Sequence, residues 1–116
     1  MANLQIKLKE MSKEERIEQL EAYKLKERFT LDDWEDREVE MPIPEIVELM
    51  RLEVIKFTNF LISQLKANVS NLQTQTQLYF NAWDNEFYDQ DQTEFIVEVE
   101  YEAMRIAGVD GDKMMI

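Results

Sequence analysis

The chain reads as an all-α protein, a compact bundle of about four helices. Three observations predict this. Among 116 residues there are only two Gly and two Pro, too few for the many turns of an all-β fold. Apolar residues recur at steps of three and four along most of the chain. Helix-start residues stand in front of several of those runs: Ser12, Thr30, Pro44 and Asp91. A hydrophobic content of 45%, with two Trp, six Phe and four Tyr, supplies one core and is too apolar for disorder. The length suits a single domain over residues 1–116.

The elements follow in order. Leu4, Ile6 and Leu8 alternate with polar residues as in a short strand, while Leu4, Leu8 and Met11 also fit a helical spacing, and both readings stay open. Ser12-Lys-Glu-Glu15 reads as a capping box that starts a helix over residues 13–28, with Ile17, Leu20 and Tyr23 on its apolar stripe. Thr30 caps a short turn with Asp32 and Asp33 at its positive end, and Phe29, Leu31 and Trp34 pin that turn to the core. Residues 35–41 read as a polar loop. Met41-Pro-Ile-Pro44 stays extended until Pro44 opens the next helix, where its missing N–H costs little.

That helix, residues 44–67, is the most apolar element. Val47, Met50, Val54, Phe57, Leu61 and Leu65 form one stripe, and Leu49, Ile55, Phe60 and Ile62 widen it. A helix so broadly apolar belongs at the centre of a bundle. A break at residues 68–71 leads to a third helix over 71–83. Asn68-Val-Ser70 matches a glycosylation acceptor and is read as coincidence in a chain with no secretion signal. After a loop, Asp91 is the expected N-cap of a helix over 92–107, with Phe95, Val99, Ala103 and Ile106 facing inward. Gly108 fits the left-handed position that closes it, and the segment beyond is expected to fray.

Charge is distributed unevenly. Residues 32–48 hold eight carboxylates against one Arg, and residues 84–112 hold ten against one. Residues 49–83 hold a single acid, Glu53, against Arg51, Lys56 and Lys66. The net charge of −12 therefore comes from two blocks flanking the apolar helix, which points to a negative surface for a basic partner and away from nucleic acid and anionic membranes. With no Cys and no His, disulfides, thiolate nucleophiles, zinc sites of the Cys/His type and imidazole acid–base chemistry are excluded. The most apolar window, residues 54–65, is too short and too interrupted to span a bilayer, so the chain is read as cytoplasmic.

Four constellations have chemical readings. Asp89, Asp91, Thr93 and Glu100 occupy positions of a calcium loop, but Glu94 stands where the loop requires Gly, and capping explains the aspartates. Glu45, Glu48, Glu86 and Asp89 resemble the paired carboxylates of all-α nucleotide pyrophosphohydrolases, which hold magnesium between helices, although no Lys or Arg cluster stands nearby for the phosphates. Glu94, Glu98 and Glu102 resemble one edge of a di-iron bundle, yet the chain has no His, and the row reads as a solvated face whose i,i+4 repulsion a basic partner would relieve. Phe29 with Trp34, and Trp83 with Phe87 and Tyr88, read as core plugs beneath loops in preference to an aromatic ligand pocket.

The chain resembles a family of small bacterial proteins found mainly in Bacteroidetes, a domain of unknown function. The resemblance rests on Phe29-Thr30-x-x-x-Trp34, on the apolar middle helix, and on Tyr88-Asp-x-Asp-x-Thr-Glu-Phe95 leading to Ile106-Ala-Gly108-Val109. It implies a shared fold over nearly the whole chain and carries no catalytic residue. The expected function is non-enzymatic binding of a basic protein, as toxin immunity proteins do. Asp32, Asp33, Glu35, Asp36, Glu94, Glu98 and Glu102 are the expected contact surface, and no cofactor is expected. The rival readings are the magnesium-dependent hydrolase and a homo-oligomeric scaffold joined through the apolar arc of residues 46–65.

Overall fold

A computed structural model describes residues 11–116, and the strand-or-helix question at residues 4–8 lies outside them. The described residues form five α-helices and no strand: α1 (Lys13–Lys24), α2 (Leu31–Asp36), α3 (Pro44–Lys66), α4 (Leu72–Ala82) and α5 (Gln90–Ala107), followed by a 3-10 turn at Gly111–Lys113. The all-α bundle predicted from periodicity is what the chain adopts.

The apolar breadth of α3 organises the packing. Val47, Met50, Val54, Phe57, Leu61 and Ile62 are buried, while Leu65 at the end of the predicted stripe is half-buried. The helix packs chiefly against α1 and α5, which also touch each other, and α4 lies against α3. Leu49 and Leu52 are left exposed on its outer side. Two threonines inside the core, Thr58 and Thr76, satisfy their hydroxyls on carbonyls one turn back, Val54 O at 2.7 Å and Leu72 O at 2.8 Å.

Helix ends follow their local chemistry, with corrections. Ser12 accepts from Glu15 N at 3.1 Å, but only this half of the expected capping box forms. The first helix stops at Lys24, four residues short of the expected end. Tertiary contacts override propensity there. Phe29 takes a left-handed φ of 60° to enter the core, and Arg51 Nε binds the Arg28 carbonyl at 3.0 Å. The Thr30 turn is a true helix, α2, which takes in residues 35 and 36 that read as loop. Its capping box is reciprocal: Thr30 Oγ1 accepts from Asp33 N, and Asp33 Oδ2 accepts from Thr30 N. The cap of α5 is Asp89, not Asp91, so the helix starts two residues early. Gln92 explains the choice, because it returns a bond to Asp89 N at 3.0 Å while Asp89 accepts from Gln92 N at 2.8 Å. The other ends of α3 and α4 fall within one residue of expectation.

The inner face of α5 differs from the one read from spacing. Ile96, Val97, Glu100, Ala103, Met104, Ile106 and Ala107 are buried, while Phe95 and Val99 are only partly so. Ala103 and Ile106 are buried as expected, and the inward face widens by about 100° of helix to take in Ile96, Met104 and the carboxylate Glu100. Phe29 and Trp34 are fully buried as expected, and Trp83 and Tyr88 pack on the core, but Phe87 is exposed.

Gly108 closes α5 at φ 87°, and Val109 N reaches back to Met104 O at 2.8 Å. The segment beyond does not fray. Gln73 Nε2 donates to Asp110 O at 2.9 Å while Asp110 N donates to Gln73 Oε1 at 2.8 Å. One turn later Gln77 makes the same pair with Met115, both bonds at 2.9 Å. Two glutamines on one face of α4 thus hold the last residues as a neighbouring strand would. The sequence could not show this, because an exposed Gln has no preferred partner.

Two outcomes are expected. A Cβ at Gly108 would lie 2.9 Å from Arg16 Nη1 and the backbone is left-handed, so Gly108→Ala should destabilise by about 1–2 kcal/mol, seen as a lower denaturation midpoint at unchanged slope. Gln73→Ala with Gln77→Ala should speed hydrogen exchange at the Asp110 and Met115 amides while leaving global stability nearly unchanged.

Candidate functional site

The two acidic blocks meet in space. Trp34 of α2 and Phe29 before it both pack edge-on against Phe95 of α5, with ring centroids 4.9 Å and 4.8 Å away. Trp34 Nε1 donates to Phe29 O at 3.2 Å, which holds the left-handed Phe29 in place. Arg37, the C-cap of α2, lays its guanidinium over the Phe95 ring at 4.3 Å and bonds Glu98 through Nη1. The seam between the blocks is therefore aromatic beneath and clasped by one arginine above.

The expected contact residues take different positions on this seam. Asp32, Glu35 and Asp36 are exposed and form no ion pair among the described residues. Asp33 is half-buried and engaged in the capping box. Glu94 is exposed and accepts from Gln90 Nε2 at 3.1 Å. Glu98 pairs with Arg37, and Glu102 pairs with Lys26 at 3.4 Å. Both remain about half-exposed, with side-chain exposures of 58% and 43%. Part of the repulsion along the Glu94–Glu98–Glu102 row is thus relieved within the chain. Such exposed pairs contribute only about 0–1 kcal/mol each, so they leave the face negative without anchoring it. Arg37 is the residue the sequence reading missed. Its isolation in an acidic run was the available signal.

Glu100 is the second finding. It is fully buried, and neither carboxylate oxygen has a hydrogen-bond partner among the described residues. Burial pushes its carboxyl well above the usual carboxylate range, the negative charge of Glu53 adds to this, and Lys56 opposes it. Its electrostatic neighbours come from every side: Glu53 and Lys56 of α3, Tyr79 of α4, Tyr88 of the loop and Tyr23 of α1. Tyr79 donates to Glu53 Oε1 at 3.2 Å, and its phenol is raised mainly by burial and next by that carboxylate. Tyr23, also raised by burial, donates to the Val99 carbonyl. Glu100 interrupts the stripe Ile96, Ala103, Met104 and Ala107, a register that the sequence contains but that the neighbouring Phe95 and Val99 obscured.

Among the described residues, no three acidic side chains converge closely enough to hold a metal ion. Glu45, Glu48, Glu86 and Asp89 do not gather: Glu48 lies 3.9 Å from Arg51, and Asp89 caps α5. The calcium-loop positions likewise part, since Asp89 caps the helix and Glu100 enters the core. No helix of the described residues is long and apolar enough to cross a membrane. Compared with protein-family models, curated proteins and solved structures, the chain matches none.

A buried acid with a raised pKa favours the protonated folded state, so stability should fall as pH rises above the ordinary Glu value of about 4.3. Glu100→Gln should remove that decline, leaving the variant progressively more stable than the parent as pH rises above about 4. Glu100→Met should stabilise at neutral pH by about 1–3 kcal/mol, because it removes an unpartnered buried acid. Parallel urea titrations across pH check both, and a parent curve that tracks Glu100→Gln would refute the assignment.

Proposed function

We propose that this protein is a non-enzymatic, cytoplasmic binding module that docks a basic protein on its α2–α5 face, in the manner of an immunity protein neutralising its partner. The observation that carries the reading is the seam at Phe95 and Arg37, which brings two acidic blocks distant in sequence into one surface. After caps and internal pairs are subtracted, Asp32, Glu35, Asp36 and Glu94 remain exposed without an ion pair among the described residues. A face of one sign steers a partner of the other and speeds its arrival more than it tightens the final complex. The same charge repels nucleic acid and anionic lipid.

The test uses a basic protein encoded beside this one. Association should be fast at low salt and slow steeply as salt rises. Reversing Glu35, Asp36 and Glu94 to Lys should slow it by about tenfold or more and flatten its salt dependence, while reversing Glu14 and Glu18 on α1 should not. These positions leave the Arg37–Glu98 and Lys26–Glu102 pairs intact. Association rates indifferent to the triple reversal would remove the surface from consideration. Incubation with Mg²⁺ and nucleotides should release neither pyrophosphate nor phosphate, and release would restore the hydrolase reading.

A further inference from the structure

Four of the thirteen Lys and Arg residues line one cleft, in a chain whose net charge is −12. The cleft encloses about 370 Å³ between the segment that follows α1 and the side of α3. Lys24, Lys26, Arg28 and Arg51 supply its charge, Glu27 is the one acid among the described lining residues, and Val54 and Ile55 form an apolar wall. The guanidinium groups are positioned by neutral acceptors. Arg28 Nη1 donates to Lys26 O at 2.9 Å and its guanidinium stacks on Tyr23 at 3.8 Å. Arg51 Nε donates to Arg28 O at 3.0 Å. Backbone carbonyls and a ring hold an arginine without cancelling its charge. No carboxylate of the described residues lies within ion-pair distance of Arg28, and Arg51 has only Glu48 at 3.9 Å. The lysines are more engaged, Lys24 with Glu21 and Asn59 at 2.9 Å each and Lys26 with Glu102 at 3.4 Å.

We propose that this cleft binds a small organic oxyanion, its phosphate or carboxylate held between Arg28 and Arg51 and its apolar body against Val54 and Ile55. The acidity of the molecule does not oppose this. At physiological salt, charges beyond about 8 Å are largely screened, so the distant acidic residues contribute little, and with Lys24 and Lys26 paired to Glu21 and Glu102 an anion in the cleft responds chiefly to Arg28 and Arg51. Planar guanidinium groups with unused N–H donors suit the geometry of phosphate and carboxylate oxygens, which a scattered set of lysines would not. The early end of α1 creates the site. A helix continued to residue 28 would not bring the Arg28 carbonyl to Arg51.

The experiment is a titration of the intact chain, followed by NMR chemical shifts and calorimetry, with inorganic phosphate, phenyl phosphate and benzoate as separate probes. Saturable binding of at least one probe with a Kd of about 1 mM or tighter is expected, with shifts at the amides of residues 24–30 and 51–55. Arg51→Gln should weaken it by at least about tenfold. Lys24→Gln with Lys26→Gln, at the cleft rim, should also weaken it, which keeps the test valid if Arg51→Gln unfolds. Lys66→Gln, at the far end of α3, should leave it unchanged. Tighter binding of phenyl phosphate than of inorganic phosphate assigns the apolar wall to the ligand's body, and tighter binding of phenyl phosphate than of benzoate assigns the acid group as phosphate. No saturable binding of any probe, or binding that survives both sets of cleft substitutions, overturns the proposal.

Discussion

A helix as apolar as α3 cannot stand in water, and the rest of the molecule is arranged by the need to cover it. Its 23 residues span about 35 Å, and residues from Val47 to Ile62 present buried side chains on more than one face. One neighbour would cover only a stripe. α1 and α5 close two sides, α4 lies along another, and the aromatic plugs Phe29 and Trp34 fill the space near the start of α5. The irregular features follow. α1 ends early so that Phe29 turns inward, and Phe29 accepts a left-handed backbone because complete burial offsets that strain.

The acidic residues have several structural fates, which a count of charge does not separate. Asp33 and Asp89 satisfy helix N-termini. Glu98 and Glu102 meet Arg37 and Lys26 across element boundaries. Glu100 lies in the core, where it feels the charge of Glu53 and in turn raises the phenols of Tyr79 and Tyr88. Others stay exposed, among them Asp32, Glu35 and Asp36 on α2 and Asp91 and Glu94 in the first turns of α5. The bases are sorted too: Arg37 joins the acidic segments, while Lys24, Lys26, Arg28 and Arg51 collect at the opposite sign in one cleft. The charge is therefore unevenly distributed, and the cleft adjoins the acidic row through the Lys26–Glu102 pair.

Much of the fold was legible because it depends on neighbours a few residues apart. The span of α3 follows from Pro44 at its first position and from apolar steps of three and four, and the closure of α5 at Gly108 follows from the left-handed conformation that Gly adopts at little cost. The start of α5 was misread by two residues because Asp89 and Asp91 are equal candidates until Gln92 is seen to return the bond. Its inner face was read correctly at Ala103 and Ile106 but not at Phe95 and Val99, which are only partly buried, and the buried face also runs through Glu100, a residue that spacing rules assign to solvent.

By itself, the sequence determined the helical class, the central helix, the caps at Ser12 and Thr30, and the presence of two acidic blocks. These are properties of local backbone preference and of composition, which need no knowledge of what lies across the core. Only the tertiary structure decided that the blocks adjoin through Arg37, that Glu100 is buried, that Gln73 and Gln77 hold the final segment, and that four bases converge on one cleft. Each joins residues far apart in the chain through long polar side chains, and their partners are set by how the helices pack around α3.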